Sequence, residues 1–119
     1  MVNNTTIDES TLDQIYSALA DRSRRRILTR LAIHGELSIG DASDGLELSP
    51  AGITKHVKVL EAAGLVHRRL DGRRHVLSLE SDRLLLAEDW IDRYRNLWTE
   101  SLDRLSRLAV ELEDKGASA

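Results

Sequence analysis

The side chains able to do chemistry in this chain are cationic, and they are clustered. Residues 21–30 carry a net charge of +4 and residues 49–76 another +4, whereas 1–20, 31–48 and 77–119 carry −3, −4 and −4. The formal total of −3 therefore conceals two basic blocks. Such blocks can face a phosphate backbone while acidic surface points away from it. The second block contains Lys55, Lys58, Arg68, Arg69, Arg73, Arg74 and His75, with Ser49, Ala51 and Thr54 near its start. Lysine and arginine reach phosphate oxygens or guanine edges, and a threonine hydroxyl both donates and accepts, so the chemistry is that of a DNA-facing surface.

Other chemistries lack their residues. There is no Cys, so neither a disulfide framework nor a thiolate nucleophile is available. The histidines, His34, His56, His67 and His75, show no metal-ligand spacing. No glycine-rich phosphate loop occurs, and no His stands beside a Ser and a carboxylate. Asp89 and Asp92 read as the solvated side of a helix. No catalysis, metal or cofactor is expected.

The elements that must position the basic residues follow from period and punctuation. Ser10 or Thr11 caps a first helix carrying Leu12, Ile15, Tyr16 and Leu19 at helical spacing. A second helix is expected from Arg22 to His34, with Ile27, Leu28, Leu31 and Ala32 as its apolar stripe and Gly35 at its end. Ser38 caps a short helix from Ile39 to Leu46, with Asp41 in a weak capping box. Ser49-Pro50 is the clearest boundary: Ser suits the N-cap, and Pro at the first helical position loses no helical hydrogen bond. The helix that follows runs to about Ala63 and stops at Gly64. Ile53, Val57 and Leu60 form one stripe; Ala51, Lys55, Lys58 and Ala62 lie opposite, with Thr54 on the flank. That outer face is small and basic, shaped to approach another surface.

Leu65 to Leu79 reads as a β-hairpin turning at Asp71-Gly72. This register sets Leu70 against Arg73, Arg69 against Arg74 and Arg68 against His75. The Arg69–Arg74 pair is a like-charge contact that an anionic partner would relieve. His67 and His75 fall on opposite sheet faces and cannot share an ion.

From about Asp82 to Lys115 the chain reads as one long helix, or two in line. Leu84, Ile91, Trp98, Leu105 and Leu112 recur every seven residues, flanked by Ala87, Tyr94 and Leu108 on one side and Leu102 and Ala109 on the other. A helix of roughly 45–50 Å, at 1.5 Å per residue, is too long for so short a preceding core to cover. Part of its apolar face must meet another chain, so a dimer is expected. The alternative is a helix folded back on its own domain.

Bulk composition agrees with one soluble domain. The 119 residues are 41% hydrophobic and 31% charged, with no Phe, two Trp and two Tyr, so the core must be aliphatic. No apolar run approaches the roughly 18 residues of a membrane span. The opening MVNNTTIDES is polar and acidic, unlike a signal peptide. The expectation is a cytoplasmic protein with no membrane partner.

Helix, helix, short helix, turn, capped helix, hairpin and long helix together make a winged helix-turn-helix: mainly α, a small β-hairpin and a long C-terminal dimerisation helix. The boundaries are a flexible N-terminus at 1–10, a DNA-binding domain at 11–80, a dimerisation helix at 81–115 and a tail at 116–119. In such a unit the second helix enters the major groove and its N-terminal residues approach base edges. Here those are Ser49, Pro50, Ala51, Thr54 and Lys55; Lys58 suits a phosphate. The wing would carry Arg68, Arg69, Arg73 and Arg74 to the minor groove or flanking backbone.

Three stretches, ALADRSRRRIL, LSPAGITKHVKVLEAAGLV and RRLDGRRHVLSL, resemble the ArsR/SmtB family of winged-helix repressors over about residues 12–80. DWIDRYRNLWTESLDRL resembles a subgroup of that family without metal sites. The resemblance implies a homodimer on an inverted-repeat operator, with the first and last helices forming the interface. Leu12, Ile15, Tyr16, Leu84, Ile91, Tyr94, Trp98 and Leu105 are the residues that would form it. It also implies that Arg24 braces the fold or touches phosphate, and that His56 packs beside Lys55 at the DNA-facing helix. Metal-sensing members carry Glu-Leu-Cys-Val-Cys-Asp where this chain has Glu36-Leu37-Ser38-Ile39-Gly40-Asp41, so both thiolate ligands are missing. The inducing signal is left open. Two other functions fit the sequence less closely: a protein-interaction module on a winged-helix scaffold, and a non-specific architectural DNA binder.

Overall fold

The computed structural model describes residues 8–117. Its order is α1 (Glu9–Leu19), α2 (Arg22–His34), β1 (Leu37–Ser38), α3 (Ile39–Ser43), α4 (Pro50–Ala62), β2 (Val66–Asp71), β3 (Arg74–Leu79) and α5 (Asp82–Ala117). The chain forms two compact units that divide within α5, between Ala87 and Glu88.

Each of α1 to α4 starts where a side chain accepts from its free N–H groups. Asp8 caps α1 by accepting from the Ser10 N–H, so this helix begins two residues before the expected Ser10 or Thr11 cap. Residues 8–10, expected to be flexible, are therefore ordered by that cap; residues 1–7 lie outside the described residues. Asp21 caps α2 through the Arg24 N–H at 3.0 Å, Ser38 caps α3 through the Asp41 N–H at 3.1 Å, and Ser49 caps α4 through the Gly52 N–H at 3.1 Å. Pro50 occupies the first helical turn of α4 as expected. α3 stops at Ser43 rather than at Leu46, because Asp44 leaves the helix at ψ 132° and Gly45 turns left-handed at φ 75°.

Ile15, Ile27, Leu31, Val57, Leu60, Leu65 and Leu77 are fully buried and form the centre of the first unit, an aliphatic core with no aromatic ring at its heart. Each such side chain contributes about 1.5–3 kcal/mol by leaving water. Ala32, assigned to the apolar stripe of α2, is instead exposed. The three strands make an antiparallel sheet in the order β1-β3-β2. β1 is two residues long, too short to show alternation, and the sequence gives no sign of it.

The hairpin turns one residue later than Asp71-Gly72. Asp71 pairs with Arg74, Leu70 with His75, Arg69 with Val76 and Arg68 with Leu77. Gly72 sits first in the turn at φ 65°, the position where type II′ hairpin turns need glycine, so Asp71 stays extended in the strand. The pairing moves by two positions, which keeps every side chain on its expected face. Arg74 now stands across from Asp71 rather than Arg69, and the expected like-charge pair does not form.

Beyond Ala87 the second unit is helix alone. Ion pairs Arg93–Asp89 at 2.9 Å and Arg95–Asp92 at 3.2 Å lie along it. Trp90 and Tyr94 stack with ring centroids 5.7 Å apart. Helix continues through Gly116 and Ala117, so the expected tail begins no earlier than 118, outside the described residues. No helix of the described residues is long and apolar enough to cross a membrane.

The Asp21 carboxylate is held below its ordinary pKa, first by the Arg24 backbone N–H and then by the charge of the Arg24 guanidinium. Its stabilising effect is therefore complete above the unfolded value of about 3.9 and is lost as pH falls through the lower folded value. Asp21→Ala should cost about 1 kcal/mol of stability at neutral pH, as N-cap removal does. Urea unfolding should show that difference shrinking as the pH falls from about 3.9 through the lower folded pKa; an undiminished difference in strong acid would contradict the assignment.

Candidate nucleic-acid interface

α3 and α4 are joined by residues 44–49, a turn in which Gly45 and Glu47 are both left-handed, at φ 75° and 58°. Leu46 is buried there and anchors the turn. Arg30 of α2 closes it from behind, donating to the Asp44 carbonyl at 2.6 Å and the Ala42 carbonyl at 3.1 Å. This fixes the start of α4, and so the direction in which its side chains project.

Val57 and Leu60 of α4 face the core. On the other side Ala51, Thr54, Lys55, Lys58 and Ala62 are exposed, and with Val59 they line a shallow concavity of about 420 Å³. Its walls are methyls, methylenes, one hydroxyl and two ammonium groups, with no acid. Ser49 and Pro50 are exposed at its N-terminal end. The Ser49 hydroxyl caps the helix as acceptor, which leaves its O–H to donate outward.

Two residues counted with this surface turn away from it. His56 is half-buried, and its Nδ1 accepts from Arg24 Nη1 at 3.0 Å. A guanidinium only donates, so the imidazole nitrogen facing it carries no proton. The rest of the Arg24 guanidinium donates to the Ala18 carbonyl at 2.8 Å and the Ser17 carbonyl at 2.9 Å, the open end of α1. Of the two roles open to Arg24, the geometry favours bracing: it ties α1, α2 and α4 together.

The wing arginines divide as well. Arg68 makes a two-pronged ion pair with Glu61 of α4, with contacts of 2.6 and 3.1 Å. Arg69 does the same with Glu36, at 2.8 and 3.2 Å. Glu36 is held below its ordinary pKa and Arg69 above its own, in each case first by their shared hydrogen bonds. Arg73 and Arg74 are exposed at the tip and have no ion pair among the described residues. Glu61 and Glu36 were not legible as site residues: one is seven and the other thirty-three positions from its partner. No group of three or more His, Cys, Asp or Glu that could hold a metal lies among the described residues.

The expected interface residues between copies also divide. Leu12 and Ile15 are buried in the chain's own core, and the Tyr16 hydroxyl donates to the Ala87 carbonyl at 2.8 Å. Leu84 is half-buried against the same core. Ile91, Tyr94, Trp98 and Leu105, by contrast, are 45%, 58%, 58% and 61% exposed. Trp90, Leu97 and Leu108 are exposed too, which makes the apolar face wider than its heptad seam.

Residues 19–69 match the helix-turn-helix domain family described as HTH_20. Over 96 residues the chain is 38% identical to the HTH-type transcriptional regulator Rv2034 of Mycobacterium tuberculosis, covering 81% of this chain and 86% of that protein. Among solved structures, an ArsR-like transcriptional regulator from Rhodococcus sp. RHA1 superposes with a TM-score of 0.69 at 27% identity, covering 84% of this chain and 93% of that one. The ArsR family transcriptional regulator RHA00566 shares the fold, with a TM-score of 0.74 at 24% identity over 79% of this chain and 96% of that one.

The Arg68–Glu61 bridge locks the wing to α4. A double-mutant cycle of Arg68→Ala and Glu61→Ala should give a coupling of about 0.5–1 kcal/mol in thermal unfolding, as part-buried pairs do. Arg73→Ala should leave stability unchanged. Zero coupling in the first pair would show that the wing is not held by this contact.

Proposed function

The chain belongs to the ArsR/SmtB family of winged helix-turn-helix regulators, in a branch without cysteine or metal-ligand clusters, and on that premise we propose that it is a homodimeric repressor of an inverted-repeat operator. Membership makes it a non-catalytic DNA-binding regulator of transcription. The observation that carries the rest is the exposed, acid-free outer face of α4. Ala51 allows close approach to base edges and offers its methyl to thymine, Thr54 and Lys55 supply hydrogen bonds, and Lys58 suits a phosphate. Arg73 and Arg74, which have no intramolecular ion pair among the described residues, are the wing's phosphate contacts. Residues 11–80 would bind DNA and 81–115 would dimerise. Its place of action is the cytoplasm, where the chromosome lies.

Pairing of copies is supported by the wide apolar face of the second unit. A lone helix exposing Trp98, Leu105 and Leu112 to water leaves a continuous stripe of the kind that packs knobs into holes. With one α4 per copy, a two-fold pair presents two reading helices, and the operator would carry matching half-sites about one DNA turn apart.

Binding to the chain's own promoter region should weaken steeply with salt, with a log–log slope of about −0.9 per phosphate neutralised. Equal affinity for promoter and scrambled DNA would instead assign a non-specific architectural role, and no binding at low salt would favour a protein-interaction module. Lys55→Ala should cost about 1–3 kcal/mol on the operator and relax preference at one base pair. A loss that is uniform across sequences would make Lys55 a phosphate contact. Trp98→Glu should sediment as a monomer; a variant that remains dimeric places the interface elsewhere.

A further inference from the structure

α2 opens with Arg22, Arg24, Arg25 and Arg26 and has no acidic residue in its first turn, although the positive end of a helix disfavours cations. Two of the four have an internal role. Arg24 holds the end of α1, and Arg25 donates to the Leu19 carbonyl at 2.8 Å. Arg22 and Arg26 stand one turn apart on the outer face, and neither has an ion pair or side-chain hydrogen bond among the described residues. With Arg25, Thr29 and Arg30 they line a concavity of about 320 Å³.

Arg25 and Thr29 also form the wall of a second concavity of about 300 Å³, and its character is opposite. Its floor is Leu19, Leu28, Ala32, Leu79 and Leu84. All of these belong to the first compact unit. A basic cup and an apolar groove thus meet edge to edge along α2, over about 15 Å from Arg22 to Ala32 at 1.5 Å per residue.

We infer that this continuous surface is a binding site for a small amphipathic anion, an apolar carboxylate whose head lies on Arg22 and Arg26 and whose tail covers the Leu28–Leu84 groove. DNA phosphate would use the basic half and leave the groove wet. A neutral apolar ligand would fill the groove and leave the guanidinium groups without a counter-charge. An apolar tail with an anionic head satisfies both, since guanidinium groups bind carboxylates through paired charge-assisted hydrogen bonds. The inference is independent of what α4 reads, because none of these residues lies on that helix.

The test uses the full chain without DNA and decanoate below its micellar concentration, followed by calorimetry. Saturable binding of one decanoate per chain is expected. Arg26→Glu should weaken it by at least about tenfold, the loss that goes with one charge-assisted hydrogen bond, and Ala32→Glu by at least about tenfold, because it sets a carboxylate against the apolar tail. Both positions are exposed on a helix, so neither substitution disturbs the core, and far-ultraviolet circular dichroism checks this. Decanol, with a tail and no charge, and inorganic phosphate, with charge and no tail, should each bind at least about tenfold more weakly. Absence of saturable binding, insensitivity to either substitution, or parity with decanol or with phosphate overturns the inference. Binding that emerges only when Trp98→Glu has broken self-association also overturns it, and assigns the groove to a second copy of the chain.

Discussion

The first compact unit of this protein depends on one guanidinium. Arg24 reaches back to the Ser17 and Ala18 carbonyls at the end of α1, the first of which also accepts the Ala20 N–H, and sideways to His56 of α4. Helix ends leave their last carbonyls unsatisfied, and a buried orphan of that kind is costly. A single planar group with several fixed donors can serve two such carbonyls and an imidazole together. The orientation of α4 is thereby coupled to the end of α1 and the start of α2. Asp21 completes the cluster, capping α2 and standing 3.8 Å from the His56 Nδ1.

The same physics explains why charge density is a poor map of the DNA surface. The basic blocks contain arginines with two different roles. Arg24, Arg25 and Arg30 cap helix ends, and Arg68 and Arg69 lock the wing to α4 and to Glu36. Those locked groups fix the scaffold, while Lys55, Lys58, Arg73 and Arg74 project from it. A rigid scaffold with a few outward cations suits recognition, because the geometry is set before the partner arrives.

The two compact units differ in how they satisfy their apolar surface. The first closes its own aliphatic core, to which Ile15 belongs, and Leu12 is buried as well. The second is a helix whose large side chains remain in water within one chain. An apolar face of that breadth is unusual on the surface of a protein.

Much of this was legible in the sequence wherever the cause is local. Ser49-Pro50 starts α4, Gly35 ends α2, and the alternation of core and surface along α4 follows from helical period alone. The heptads of α5 likewise depend only on spacing. What the sequence left undecided are contacts between residues far apart along the chain. Arg69 and Glu36, or Arg24 and His56, meet because the core brings their elements together, and neither spacing nor composition encodes that distance. The hairpin shows the boundary between the two: its faces were fixed by alternation, but its register waited on which residue could take a positive φ and on β1 pairing with β3. The sequence by itself determined a basic, capped helix beside a wing and a long apolar seam. Only the tertiary structure decided which cations are free, because freedom depends on what folding has placed within reach.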